Sequence, residues 1–271
     1  MNADLPSRSV ILVTGSSSGI GRACCDLLGV NAIVYGASRS KTSSERWTYV
    51  PMDVTDDASV DNAVQIILSQ HGRIDAVVHC AGISSTGSVE DTTVAEALAQ
   101  FDTNYFGTLR VLRAVLPAMR NQSYGKIVII GSIGGLIGLP FQAHYSGTKF
   151  ALDGMVEAMR NELLPFNIFV SVLHPGNFKT ASNDYRVFAK NVAAGSAYHT
   201  ACDKAARFYA DQELSARAPN LVASKVDNIL HHKHPQRQYL IGTPLELVGV
   251  FAKRLLPSPL FDHLIRFFYF P

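Results

Sequence analysis

The sequence predicts an α/β fold, a doubly wound parallel sheet within a single domain spanning residues 1–271. Three observations point there. Short runs are apolar at nearly every position and need cover on both faces; helical patterns between them supply that cover; a Gly-rich turn joins the first run to the first helix. Residues 10–13 form the first run and 20–28 the first helical pattern. The same alternation predicts strands at 33–35, 76–78, 127–130 and 169–173, with helices over 94–119 and about 145–163. After Pro175-Gly176 the alternation lapses, and residues 182–218 read as a mostly helical insertion, rich in Tyr, Phe and Ala, that covers a site. A helix over about 220–231 and a strand near 238–241 follow, then an apolar tail, 243–271, whose structure the pattern leaves open. No fixed-period repeat or low-complexity linker divides the chain.

Composition narrows the function classes. With 47% apolar residues in 271, the chain can bury a full core, which excludes disorder as its main state. Lys+Arg 24 against Asp+Glu 22 leaves a formal charge of +2, too balanced for a nucleic-acid surface. Cys24, Cys25, Cys80 and Cys202 show no CxxC spacing, so neither a disulfide framework nor a zinc site is expected, and a reducing, cytoplasmic setting fits. The opening residues read as neither signal nor transit peptide, and no apolar stretch reaches the roughly 18 residues of a membrane span.

Thr14-Gly15-Ser16-Ser17-Ser18-Gly19-Ile20-Gly21 lies between the first strand and the first helix. Missing side chains at Gly15, Gly19 and Gly21 let backbone approach a pyrophosphate, and the N–H groups around Ser17, Ser18 and Ile20 attract its charge. The layout is therefore Rossmann-like and dinucleotide-binding, although the spacing differs from G-x-G-x-x-G. The second strand ends in Ala37-Ser38-Arg39-Ser40-Lys41, with no carboxylate to accept from a ribose 2′-hydroxyl. Arg39 offers a planar fork for a 2′-phosphate, so NADP(H) is expected over NAD(H).

Tyr145 and Lys149, spaced i, i+4 near a helix start, share one helix face. A phenol of ordinary pKa about 10 must lose roughly 2–3 units to trade protons near neutrality, and a neighbouring cation favours that loss. Ser132, after the strand at 127–130, falls at the sheet's C-terminal edge, where ligands bind in such folds.

With the T-G-x-x-x-G-x-G turn and the Y-x-x-x-K pair in this order, the sequence resembles the short-chain dehydrogenase/reductases over about residues 10–180. The resemblance implies Tyr145 as catalytic acid/base and Lys149 as the residue that holds the nicotinamide ribose and acidifies the phenol. It implies Ser132 as orienter of the substrate carbonyl and Asn104 as holder of a relay water. Asp53 and Val54 would meet the adenine; alone, Asp53 reads as a helix cap. Ala81 and Gly82 would approach the cofactor, and Pro175, Gly176 and Thr180 would close over the nicotinamide. One departure is His79-Cys80 where the family usually has an Asn pair, which puts a sheet-stabilising hydrogen bond in doubt. Both residues read as packing substitutes.

Residues 131–141, with Phe150-Ala151-Leu152 and Leu164-Pro165-Phe166, resemble the 17β-hydroxysteroid and photoreceptor retinol dehydrogenase branch. That implies interconversion of a carbonyl and an alcohol on an apolar skeleton such as a steroid or retinoid, with residues 134–141 on the substrate side. The alternative is a non-catalytic NADPH-binding sensor or scaffold. The family also implies a homodimer or homotetramer. His231-His232-Lys233-His234 reads as a solvated helix end, not a metal site. The tail can either lie weakly on a membrane surface or pack against the substrate segment or a partner subunit.

Overall fold

The computed structural model describes residues 8–42, 44–179, 187–192, 195–214 and 216–269. Its centre is a seven-stranded sheet of β1 (Val10–Thr14), β2 (Ile33–Ser38), β3 (Thr48–Pro51), β4 (Ala76–His79), β6 (Gly125–Ile130), β7 (Ile168–Pro175) and β9 (Gln238–Ile241). The order is β3-β2-β1-β4-β6-β7-β9, with every neighbouring pair parallel. Strand order reverses between β1 and β4, which leaves a crevice beyond their carboxyl ends.

The unbroken apolar runs follow from this burial. Leu12 of β1 packs on one face with Ile127, Val111, Val64 and Val156, while Ile11 and Val13 pack on the other with Cys24, Leu28, Val222 and Val226. The first face is covered by α2 (Asp57–His71), α4 (Gly107–Asn121) and α5 (Ala143–Leu163), the second by α1 (Gly19–Leu28) and α7 (Asn220–His231). Lys126 of β6 is 1% exposed yet satisfied, donating to the carbonyls of Leu230 at 2.6 Å and His232 at 2.9 Å at the end of α7. A cation there suits the helix's negative end.

The predicted helix over 94–119 is interrupted. It comprises α3 (Val94–Phe101), opened by a Thr93–Glu96 capping box, then a wider π turn at Asp102–Phe106, then α4. One extra residue in a turn leaves the apolar spacing nearly unchanged, so periodicity does not reveal it. β3 lacks a clear apolar signature and was not expected from the pattern; α2 does carry one, with Val60, Ala63, Val64 and Ile67 buried at helical spacing, but the sequence reading gave it only as the helix that Asp53 would cap. The cap of α2 is Asp56, which accepts from Ala58 and Ser59 N–H; Asp53 instead accepts from Thr55.

Within 182–218, the described part holds a two-residue strand β8 (Val187–Phe188), paired with β5 (Ser85–Thr86), and α6 (His199–Leu214). Thr180 and residues 181–186 lie outside the described residues. The tail forms α8 (Pro244–Leu255) and α9 (Ser258–Tyr269). It divides by side: Val250 and Phe261 pack with Ile137, whereas Leu255 is 81% and Phe267 72% exposed. At the end of α7, His231 Nδ1 lies 3.2 Å from Asp227 Oδ1, and no group of His, Cys, Asp or Glu among the described residues is arranged to hold a metal.

Candidate active site

A cavity of about 590 Å³ runs along the carboxyl edge of the sheet, from the glycine turn to α9. The turn forms one lip. Gly15 has φ +69°, and a Cβ there would lie 2.8 Å from the Ala81 nitrogen, so a side chain would close the gap between the β1 and β4 ends. Gly15, Ser17, Ser18, Gly19, Ile20 and Gly21 all line the cavity. The first turn of α1 holds no acidic residue, and Ser18 makes no side-chain cap. Its N–H groups and positive dipole end are thus presented to the cleft, a cradle that fits a dinucleotide pyrophosphate.

Across the crevice, Thr14 Oγ1 accepts from the backbone N–H of Cys80 and Ala81, both at 3.2 Å. Its own proton then goes to His79 Nδ1 at 3.0 Å. Burial, then Lys149, push His79 down to about 3, so its ring stays neutral and accepts this bond. The β1–β4 tie put in doubt by the missing Asn pair is therefore made by His79. Cys80 lines the cleft, but a hydrogen bond with the Cys24 thiol and burial push its thiol up, away from nucleophilic character.

At the far end of the turn's lip, Arg39 is exposed and lines the cavity with Asp53 and Val54. Thr55 and the cations Arg39 and Arg110 hold the Asp53 carboxyl low against the upward pull of its burial. The end of β2 carries Ser38, bonded to the Ser40 carbonyl, rather than an acid. Lys41 does not line the cavity.

The other predicted residues meet at the middle of the cleft. Ser132 follows β6 and opens a short turn at Ile133–Gly135; its Oγ accepts from Gly134 N–H at 3.0 Å. A Cβ on Gly134 would sit 3.3 Å from both Ser132 Oγ and Tyr145 Cε1, so glycine there lets hydroxyl and phenol share one space. Lys149 lies one turn along α5, with Nζ 5.7 Å from the Tyr145 ring centroid and donating to the Ile130 carbonyl at 2.9 Å. Burial pushes its ammonium down to about 8.

Asn104 sits behind this group, in the π turn. Its Oδ1 accepts from Ile83 N–H at 2.8 Å, and its Nδ2 donates to the Ile83 carbonyl and Thr148 Oγ1. It does not line the cavity, but a Cβ on Gly82 would lie 3.2 Å from its Oδ1 and 3.9 Å from Lys149 Nζ. Pro175 and Gly176 line the cavity beside Ala81 and Gly82.

The substrate side is only partly as expected. From residues 134–141, Ile137 and Leu139 line the cleft, but Gly134, Gly135 and Phe141 do not. Further wall comes from Phe208 and Tyr209 of α6, Leu245 and Val248 of α8, and Phe261, Leu264, Ile265 and Tyr269 of α9. Glu246 is the main residue the sequence reading missed. It completes the Thr243 capping box of α8 and also accepts from Asn177 N–H at 2.7 Å, fastening the tail to the Pro175-Gly176 loop. The T-x-x-E spacing was readable; its second partner, 69 residues away, was not.

The short chain dehydrogenase family matches residues 9–190, and the chain belongs to it. This family works with nicotinamide cofactors on carbonyl and alcohol substrates. The chain is 33% identical to a 3-ketodihydrosphingosine reductase of Bacteroides thetaiotaomicron, over 96% of this chain and 97% of that protein. It is 34% identical to retinol dehydrogenase 8 of Bos taurus over 64% of this chain and 60% of that one, in line with the retinol dehydrogenase resemblance. Among solved structures, a short-chain dehydrogenase from Streptomyces avermitilis superposes with a TM-score of 0.81 at 28% identity, covering 92% of this chain and 93% of that one.

Proposed function

We propose that this chain is an NADP(H)-dependent oxidoreductase that interconverts a carbonyl and a primary or secondary alcohol on an apolar substrate. The observation that carries this reading is the meeting of Ser132, Tyr145 and Lys149 at the middle of a cleft whose outer lip is an uncapped, glycine-opened helix N-terminus. NADPH in that cleft supplies the hydride. In reduction, Ser132 Oγ donates to the substrate oxygen and fixes its direction, and Tyr145 gives that oxygen the proton it needs as carbon gains its hydrogen. Lys149 stabilises the phenolate left behind and is the residue to hold the ribose; Asn104 anchors the π turn behind it. Gly15, Ser17, Ser18, Gly19, Ile20 and Gly21 take the pyrophosphate, Asp53 and Val54 the adenine side, and Ala81, Gly82, Pro175 and Gly176 the nicotinamide side. Arg39, unopposed by an acid at the end of β2, favours the 2′-phosphate. Alignment of the reactants in such a site is worth about 7–11 kcal/mol of barrier.

Aromatic and aliphatic walls from α6 and α9, and the long-chain ketone in the Bacteroides relative's name, favour an extended apolar ketone or aldehyde, with steroids and retinoids in the same class. Four free cysteines agree with a cytoplasmic setting, and no helix among the described residues is long and apolar enough to cross a membrane. The exposed side of α8 and α9 provides weak bilayer contact, and the helices over 94–119 (α3 and α4) and 145–163 (α5) supply the homodimer or homotetramer contacts that the family resemblance implies.

The test is NADPH oxidation across long-chain ketones, steroids, retinoids and small ketones. Turnover that rises with apolar chain length is expected. NADPH binding without turnover on any of them would overturn the enzyme reading in favour of an NADPH sensor or scaffold.

A further inference from the structure

We propose that Asp153 and His174 form a positioning pair that pins the Ser132 backbone between α5 and β7 and so sets the hydroxyl that receives the substrate oxygen. It rests on the role given to Ser132 above.

His174 is the residue of β7 immediately before Pro175, and its ring is fully buried. One ring nitrogen, Nδ1, lies 2.9 Å from the Ser132 carbonyl oxygen; the other, Nε2, lies 3.3 Å from Asp153 Oδ1. A carbonyl can only accept, and so can a carboxylate, whereas a neutral imidazole has one N–H to give. To bridge the two acceptors the ring must donate from both nitrogens. Gln238 Nε2 donates to the same Asp153 oxygen at 2.6 Å, which marks it as the ionised acceptor. In keeping with this, bonds from His174 and Gln238 hold the Asp153 carboxyl low despite its partial burial.

The placement gives the pair its role. Asp153 lies on α5 one turn past Lys149 and two past Tyr145, while Ser132 follows β6 and His174 precedes the Pro175-Gly176 loop. The chain Asp153–His174–Ser132 thus joins α5, the turn after β6 and the end of β7. Gly131 makes room for it: a Cβ there would lie 2.8 Å from His174 Nδ1. Ser132 Oγ is itself held by Gly134 N–H within the same turn, so moving the Ser132 backbone moves the hydroxyl. The other charge acting on the pair is Arg237 before β9, which is itself engaged by Glu157. Replacing such a pair costs little stability when its partners are also removed, but breaking it leaves an unpaired donor or charge and releases the geometry it held.

The test uses the full chain with NADPH and the best carbonyl from the screen. Asp153→Asn and His174→Ala are each expected to lower kcat about 10- to 100-fold, the penalty of a displaced group, while NADPH affinity stays within about threefold. The double variant is expected to be no worse than the worse single one, as for residues acting as a unit. A 15N-histidine spectrum, with His174→Gln for assignment, is expected to show both His174 ring nitrogens protonated at pH 7, and one after Asp153→Asn. A singly protonated ring in the parent overturns the proposal, as does a loss of thermal stability with kcat unchanged. Ser132→Ala separates the levels. If it leaves kcat intact, the reading of Ser132 falls and the pair's role with it; if it abolishes turnover while Asp153→Asn does not, the pair alone is overturned.

Discussion

Lys149→Met tests whether the site is built at the expense of stability. Burial moves the Lys149 ammonium from 10.5 to about 8, so at pH 7 the folded protein carries a cation that its surroundings disfavour. At 1.36 kcal/mol per unit this is about 3 kcal/mol. The sign follows from proton counts: between pH 8 and 10.5 the unfolded chain binds more protons than the folded one, so stability rises with pH through that window and the penalty is complete below it. Methionine removes the penalty but leaves the Ile130 carbonyl without its donor, at a cost of about 1–2 kcal/mol. The net gain at pH 7 is about 1–2 kcal/mol, or about 3 °C in Tm for a domain of this size. At pH 9.5 the parent's penalty has shrunk to about 1 kcal/mol, and the variant's advantage should vanish. Thermal melts of the cofactor-free protein at the two pH values measure this, alongside NADPH-linked turnover, which the variant should lose. A variant that melts below the parent at pH 7, or a difference that does not change with pH, would mean that burial of the Lys149 ammonium does not cost the fold stability.

Other outcomes follow from the same geometry. Arg39→Asp should lower the ratio of kcat/KM for NADPH over NADH by about 100-fold or more, by replacing a charge-assisted bond with repulsion; an unchanged ratio would remove Arg39 from cofactor choice. Glu246→Ala should weaken NADPH binding about three- to tenfold in a fluorescence titration, because it frees both the α8 cap and Asn177 N–H; unaltered affinity would mean that the tail does not support the cofactor loop. Replacing Leu255, Leu260 and Phe267 by serine should reduce partitioning onto liposomes without altering the cleft, since all three are exposed; equal partitioning would end the membrane-contact reading.

How far the sequence revealed these features depended on the range of the interactions. The turn from Thr14 to Gly21 and the Tyr145–Lys149 pair were legible because strand, turn and helix period place them locally. The alternate faces of β1 explain why a run apolar at every position meant a sheet covered on both sides. The π turn at Asp102–Phe106 was hidden because it disturbs helical spacing by a single residue. The fastening of Glu246 to Asn177 and the Asp153–His174–Ser132 chain could not be read, since their partners are far apart in sequence and meet only after the sheet assembles. The tail's ambiguity was real, for α9 turns Phe261 inward and Phe267 outward.

In the proposed reaction the Tyr145 phenol supplies the substrate's proton from a site that binds the nucleotide independently of it. Single-turnover reduction by Tyr145→Phe, with its NADPH dissociation constant measured on the same preparation, tests this most directly. A rate loss of at least about a thousandfold is expected, with affinity for NADPH within about threefold of the parent. A variant that reduces the carbonyl at the parent's rate would contradict it.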